Sequence, residues 1–363
     1  FHVLAKPADE CPGELLSILG NKGIKQASRI VLLEGESMHG CLYAVYDFLE
    51  ELGMRFYIEE DVFPGETQEK KICELNLDHS KKPLFEIRGL LPFHDFPEGP
   101  DWWNEDDYKA YFSQLTKLRM NFFGLHTYPE GGPHAEPSVW IGLKKDIQDS
   151  AKVAKSYPAT FANTQRPGHW GYAPLTTSQF SSGASLLYDR EVYGADILKG
   201  TEPFPTTPDS MCLLFERTGK LLSSAFDFGH QFGLKFCMGT ETPLTIPQMV
   251  RSELKRQGIN PESEDATRML YEGIFNRITQ THSLDYYWLW TPESWTWGNP
   301  TNKVVQRTIN DIKIANSVLA DMNYPFELAL SGWVLGPPQN RSGFDQIIPA
   351  RSPISCISRM WGQ

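Results

Sequence analysis

The run Tyr286-Tyr287-Trp288-Leu289-Trp290-Thr291-Pro292-Glu293-Ser294-Trp295-Thr296-Trp297 sets one carboxyl, that of Glu293, among four tryptophans. Apolar rings beside a carboxyl disfavour its ionised form, and a general acid must hold its proton until a leaving oxygen takes it. The rings of Trp288, Trp290, Trp295 and Trp297 could also stack on the faces of a sugar. The chemistry this pattern suggests is cleavage of a glycosidic bond, with Glu293 as the acid. The competing structural use is a helix start at Pro292-Glu293, with the tryptophans filling core.

Such a reaction needs a second carboxylate, about 5 to 5.5 Å away for retention of configuration or about 6.5 to 9.5 Å for inversion. Glu241, in Gly239-Thr240-Glu241-Thr242-Pro243, is the leading partner, and Asp95 is the second choice. Arg88, His94, Asp95 and His126 offer forked or imidazole donors for sugar hydroxyls or carboxylates. Arg88 is equally suited to an internal ion pair. His94, Asp95, His126, Glu130 and His134 also raise a metal reading, but no tight ligand spacing supports it, so no metal or other cofactor is expected.

These residues acquire meaning from the elements that would hold them. Residues 1 to about 80 read as a small α/β domain, with extended Phe1-Leu4, a strand at Arg29-Leu33, a helix from Met38 to Leu52 stopped by Gly53, and a closing strand at Lys70-Leu77. From residue 81 to 363 apolar runs alternate with amphipathic helices, as in a parallel sheet of βα units, the (β/α)8 or TIM-barrel pattern. Strands are expected at Phe85-Pro92, Asn121-Thr127, Leu234-Met238, Tyr286-Trp290, Phe326-Leu330 and Ile354-Ser358. Helices are expected at Glu105-Leu118, Met211-Phe232, Glu264-Thr281 and Val304-Met322.

In that barrel the catalytic groups sit where strands end at their carboxyl side, and this rule selects His94, Asp95, His126, Glu241 and Glu293. Residues 128 to 205, rich in Gly, Pro, Ser and aromatics, read as an insertion over the barrel mouth. Six strands are two short of closure, so a barrel truncated after strand six, or a fragment of a longer chain, is expected.

Composition narrows the partners. The formal net charge of −11 over 363 residues argues against nucleic acid, whose binding relies on Lys and Arg at phosphates. No apolar run reaches the roughly 20 residues that span a bilayer. Phosphate-binding glycine loops and the G-x-S-x-G elbow are absent. Cys11, Cys41, Cys73, Cys212, Cys237 and Cys356 are widely spread and read as buried free thiols. The chain begins at Phe1 without a leader pattern, so a signal peptide was either removed or never present, and a secreted or periplasmic location is expected from substrate class alone.

The segments Glu86-Ile87-Arg88-Gly89-Leu90-Leu91 and Lys117-Leu118-Arg119-Met120-Asn121-Phe122-Phe123-Gly124-Leu125-His126 together resemble the barrel opening of family 20 β-hexosaminidases. The stretch His39-Gly40-Cys41-Leu42-Tyr43-Ala44-Val45-Tyr46-Asp47-Phe48-Leu49-Glu50-Glu51-Leu52-Gly53 is similar to the accessory-domain helix of hexosaminidases and α-glucuronidases. The resemblance implies a TIM barrel behind an accessory α/β domain, with Arg88 on the sugar in the cleaved position, His126 supporting the site, and Glu293 as the acid. Family 20 enzymes carry an Asp directly before that Glu; here Pro292 occupies the position, so the resemblance does not extend to acetamido-assisted catalysis. The expectation is therefore a glycoside hydrolase acting on poly- or oligosaccharides, with α-glucuronidase-like or otherwise distinct specificity. A carbohydrate-binding protein without turnover, on the same fold, and a metal-dependent hydrolase or lyase are the alternatives.

Overall fold

The computed structural model describes residues 1–14, 29–65, 72–92, 103–127, 136–159, 205–296, 298–332, 334–336 and 341–355. The chain is mixed α/β and divides into two compact units. Unit one comprises Phe1–Gly89, Lys109–Asn121 and Gln231–Leu234; unit two comprises Leu90–Tyr108, Phe122–His230 and Lys235–Gln363.

In unit one, β1 (His2–Pro7) pairs antiparallel with β2 (Arg29–Glu34) on one side and with β5 (Leu77–Ser80) on the other. Helix α1 (Met38–Glu51) begins where the Ser37 hydroxyl accepts the Gly40 amide at 3.1 Å, and it ends before Gly53, whose φ of 106° suits a residue without a Cβ. It brings Ala44 and Phe48 onto Val3, Ala5 and Leu75, while Leu4, Cys11 and Ile30 form a cluster of their own. β3 (Arg55–Phe56) and β4 (Asp61–Val62) form a short antiparallel pair.

The expected closing strand at Lys70-Leu77 is corrected: Ile72–Glu74 is a 3-10 turn, and the strand runs from Leu77 to Ser80. That strand is polar because its charges are used. Asp78 takes Lys6 at 2.7 Å and His2 at 3.0 Å, and His79 reaches the buried carboxylate of Asp47 at 2.6 Å. Lys81 lies 2.5 Å from the other Asp47 oxygen. Burial works to raise the Asp47 pKa, but the hydrogen bonds from Lys81 and His79 outweigh it and hold the carboxyl below its ordinary value.

A second correction concerns Phe85-Pro92, where only β6 (Gly89–Leu90) is a strand. The Arg88 amide donates to the Asn121 side chain at 2.8 Å, the Asn121 amide donates to the Arg88 carbonyl at 2.7 Å, and the Asn121 side chain donates to the Glu86 carbonyl, so side-chain bonds supplement a single backbone bond there. Helix α2 is Glu105–Lys117, one residue shorter than expected.

Unit two is organised by β7 (Phe122–Thr127), β8 (Lys235–Glu241), β9 (Tyr286–Trp290) and β10 (Glu327–Ser331), which pair in parallel; with β6 the sheet order is β10-β9-β8-β7-β6. Helices α3 (Pro208–Gln231), α4 (Gln248–Arg256), α5 (Glu264–Thr281), α6 (Asn302–Asp321) and α7 (Arg341–Asp345) complete the described elements. Neither α4 nor α7 was expected from the sequence, both being short and weakly apolar. The start of a sixth strand is present: Ile354 bridges Leu330 in parallel, and the Ser355 amide donates to the Leu330 carbonyl at 3.0 Å.

Alternation along the strands gives the sheet two faces. One is an aromatic layer shared with the helices and strand approaches: Phe226 of α3 stacks on Phe236 at 4.2 Å, and Phe275 of α5 meets Tyr287 and Phe326 edge-on at 5.0 and 5.4 Å. β9, Tyr-Tyr-Trp-Leu-Trp, is a continuous apolar run, as expected when both faces are covered. β9 is buried at every position.

Within the expected insertion, residues 136–159 are packed core rather than a loose cover. Val139, Trp140, Ile141 and Leu143 are buried, the Tyr157 hydroxyl takes the Ile141 amide at 3.0 Å, and a Cβ on Gly273 of α5 would strike the Gly142 carbonyl. The rest of that insertion lies outside the described residues. Among the described cysteines all five are unbonded. Cys11 and Cys237 are buried as expected, but Cys41 and Cys73 are exposed; Cys356 lies outside the description. Among the described residues no helix is long and apolar enough to cross a membrane.

Candidate functional site at the strand ends

Parallel pairing aligns Gly124, Cys237, Tyr286 and Glu327 toward the start of the sheet, then His126, Gly239, Trp288 and Ala329, then Glu241, Trp290 and Ser331 at its carboxyl end. Because these residues lie two apart along each strand, they share the face opposite the aromatic layer. The carboxyl end of that face thus carries an imidazole, a carboxylate, an indole and a hydroxyl side by side.

Two glycines shape it. A Cβ on Gly124 would collide with the Trp288 ring, and one on Gly239 with the Trp288 backbone and indole. The indole therefore lies flat along the sheet, and its Nε1 donates to the Leu125 carbonyl at 3.0 Å. With no side chain at 239, the rings of His126 and Trp290 meet across β8, 4.6 Å apart and tilted by 37°. His126 is 2% exposed.

Glu241 is the last residue of β8, half-buried, in register with Trp290. The loop after it is held from behind. The Thr242 amide donates to the Trp290 carbonyl at 2.8 Å, and its hydroxyl donates to Asp311 of α6 at 2.7 Å. Tyr271 donates its hydroxyl to that same Asp311 oxygen at 2.6 Å, and the other Asp311 oxygen accepts the Leu244 amide at 3.2 Å. Burial raises the Asp311 pKa, and the bonds from Tyr271, Thr242 and Leu244 pull it back only in part. Sequence reasoning passed over Asp311. The available signal was a carboxylate at helical spacing with Thr308 and Ala315, on the buried side of an otherwise apolar helix.

Glu293 opens the 3-10 turn Glu293–Thr296 and is exposed, so the tryptophans around it in sequence do not enclose it. They turn inward instead: Trp288, Trp290 and Trp295 are 4%, 4% and 5% exposed, and Trp295 packs edge-on against Phe344 at 5.5 Å. Their open ring faces for sugar stacking are correspondingly small. Thr291, just before, is tied to β10, its amide donating to the Ser331 carbonyl at 2.9 Å. Trp297, His94, Asp95, Glu130 and His134 lie outside the described residues.

Arg88 belongs to unit one. Its guanidinium donates to the carbonyls of Arg119 (2.9 Å), Phe85 (2.6 Å) and Glu86 (2.9 Å), and it borders an open cleft of about 700 Å³ shared with His39, Tyr43 and Lys81. This is the bonding of a backbone strut. Among the described residues one group has metal-ligand spacing, Asp47, Glu51 and His79, also in unit one. Lys81 and Arg119, at 2.5 and 3.7 Å from Asp47, already supply the positive charge there.

No protein-family model matches the chain, and no curated protein matches its sequence.

Proposed function

We propose that the chain is a glycoside hydrolase whose parallel sheet belongs to a (β/α)8-type barrel, with Glu241 and Glu293 as its paired carboxylates. The observation that carries the reading is the row at the carboxyl end of the strands: Glu241 in register with Trp290, beside His126, on the face turned away from the aromatic layer. In barrels of this kind that end holds the chemistry. One carboxyl protonates the leaving oxygen while the other activates water or attacks the anomeric carbon, and their separation selects inversion or retention. Trp290 gives an apolar wall, and His126 a donor or acceptor toward a sugar hydroxyl. A poly- or oligosaccharide substrate accords with a secreted or periplasmic protein.

The exposure of Glu293 favours one alternative, a carbohydrate-binding protein on the same fold without turnover. Both readings meet in one experiment, in which aryl glycosides and uronides are offered to wild type, Glu241→Gln and Glu293→Gln. Hydrolysis by wild type that falls by about 10²-fold or more in each variant, with binding retained, supports the hydrolase. Binding by all three without turnover supports the alternative, and an unchanged rate in Glu293→Gln removes that residue from the pair.

A further inference from the structure

Arg277 of α5 is 3% exposed, yet among the described residues no carboxylate lies within ion-pair distance of it, and the charge of Glu216 acts on it only from farther away. One Nη donates to the Phe215 carbonyl at 2.8 Å, the Phe215 ring lies 5.9 Å from the guanidinium carbon, and Nε has no acceptor. A guanidinium has five N–H donors, and a buried cation is costly unless an anion or several acceptors meet it. Burial lowers the Arg277 pKa to about 10, which still leaves the group charged at neutral pH.

Beside it opens a surface cavity of about 380 Å³ between α3 and α5, where Arg277 is joined by Lys220, Ser223 and Gln280. Two carboxylates also border it: Glu216 is engaged by Lys220 at 2.8 Å and Lys152 at 3.8 Å, Asp227 is exposed, and among the described residues neither lies within ion-pair distance of Arg277. Ser150 and Ala151 form another part of the wall in the left-handed region, at φ of 61° and 59°, a conformation that non-glycine residues keep only where their surroundings impose it.

We infer that this cavity binds a small oxyanion, the carboxylate or phosphate group of a ligand, with Arg277 as its charge partner and Ser223 and Gln280 as neutral donors. The site uses none of the strand-end residues and does not depend on the glycosidase reading.

Thermal unfolding of the whole chain tests it, with sodium phosphate or sodium malonate titrated at ionic strength held constant with NaCl. Wild type is expected to show a saturable rise in Tm of about 2 to 4 °C or more; the anion giving the larger rise identifies the group recognised. Ser223→Asp places a carboxylate at the half-buried rim with Arg277 intact, and should remove the dependence without lowering the anion-free Tm. Arg277→Gln should remove it as well, and Ser223→Asp keeps the test decisive if that variant does not fold. A wild-type Tm that responds to neither anion, a response that does not saturate, or an equal response in Ser223→Asp overturns the inference.

Discussion

His126 of β7 and Trp290 of β9 hold their rings 4.6 Å apart although β8 runs between their strands. The gap that lets them meet is Gly239, which lies in register with both His126 and Trp288. A contact across an intervening strand thus sets the imidazole against the indole, and the carboxyl-bearing Glu241 lies in register with that indole.

Gly239→Ala should therefore damage both stability and the site. The added methyl meets Trp288 backbone as well as ring, and backbone in a central strand cannot move aside cheaply. A loss of about 1 to 3 kcal/mol is expected. Urea unfolding measures it, and a change within error would show that β9 yields more easily than its complete burial suggests.

Asp311 should act on Glu241 through the loop it anchors. Asp311→Ala leaves the Thr242 hydroxyl, the Tyr271 hydroxyl and the Leu244 amide without their acceptor, at about 1 to 3 kcal/mol for each group left unsatisfied. Asp311→Asn keeps an acceptor and should recover part of that loss. Because the folded pKa is raised, the protonated form favours the fold: wild type should lose stability relative to Asp311→Asn as pH climbs above the ordinary 3.8 and through the folded value. Where turnover is measurable, Asp311→Asn should lower kcat with little change in KM; a shift confined to KM would place Asp311 outside the positioning of Glu241.

His282 predicts the opposite slope. It is buried with its Nε2 3.1 Å from the Met238 sulfur, and burial, followed by the charge of Arg277, lowers its pKa from 6.5 to about 3. The unfolded chain takes up this proton first, so stability is present above pH 6.5 and is lost as pH falls toward 3, by up to about 1.4 kcal/mol per pH unit. His282→Gln should flatten that part of the curve. Parallel pH profiles for wild type and His282→Gln, recorded by chemical unfolding, would refute the assignment.

Much of the architecture was legible because period and length carry it. Helix α5 matched its expected limits, Glu264–Thr281, and β9 its expected limits, Tyr286–Trp290, each being a run whose apolar residues answer directly to burial. The edge strand Leu77–Ser80 was missed because its residues face charge partners distant in sequence rather than a core. Phe85-Pro92 read as a strand for the converse reason: its apolar residues suggested a ladder, whereas Phe85 is exposed and bonds to the Asn121 side chain supplement a single backbone bond to Asn121.

The sequence by itself determined the limits of elements such as α5 and β9 and the richness of the segment around β9 in large rings, which follow from interactions within a few residues. Only the tertiary structure decided which of those rings face inward, that Glu293 stands exposed while Glu241 sits beside Trp290, and that Asp311 and Arg277 are buried ionisable groups. Those outcomes depend on the register between strands and on which helix covers which face, and both are set by packing between residues tens to hundreds of positions apart.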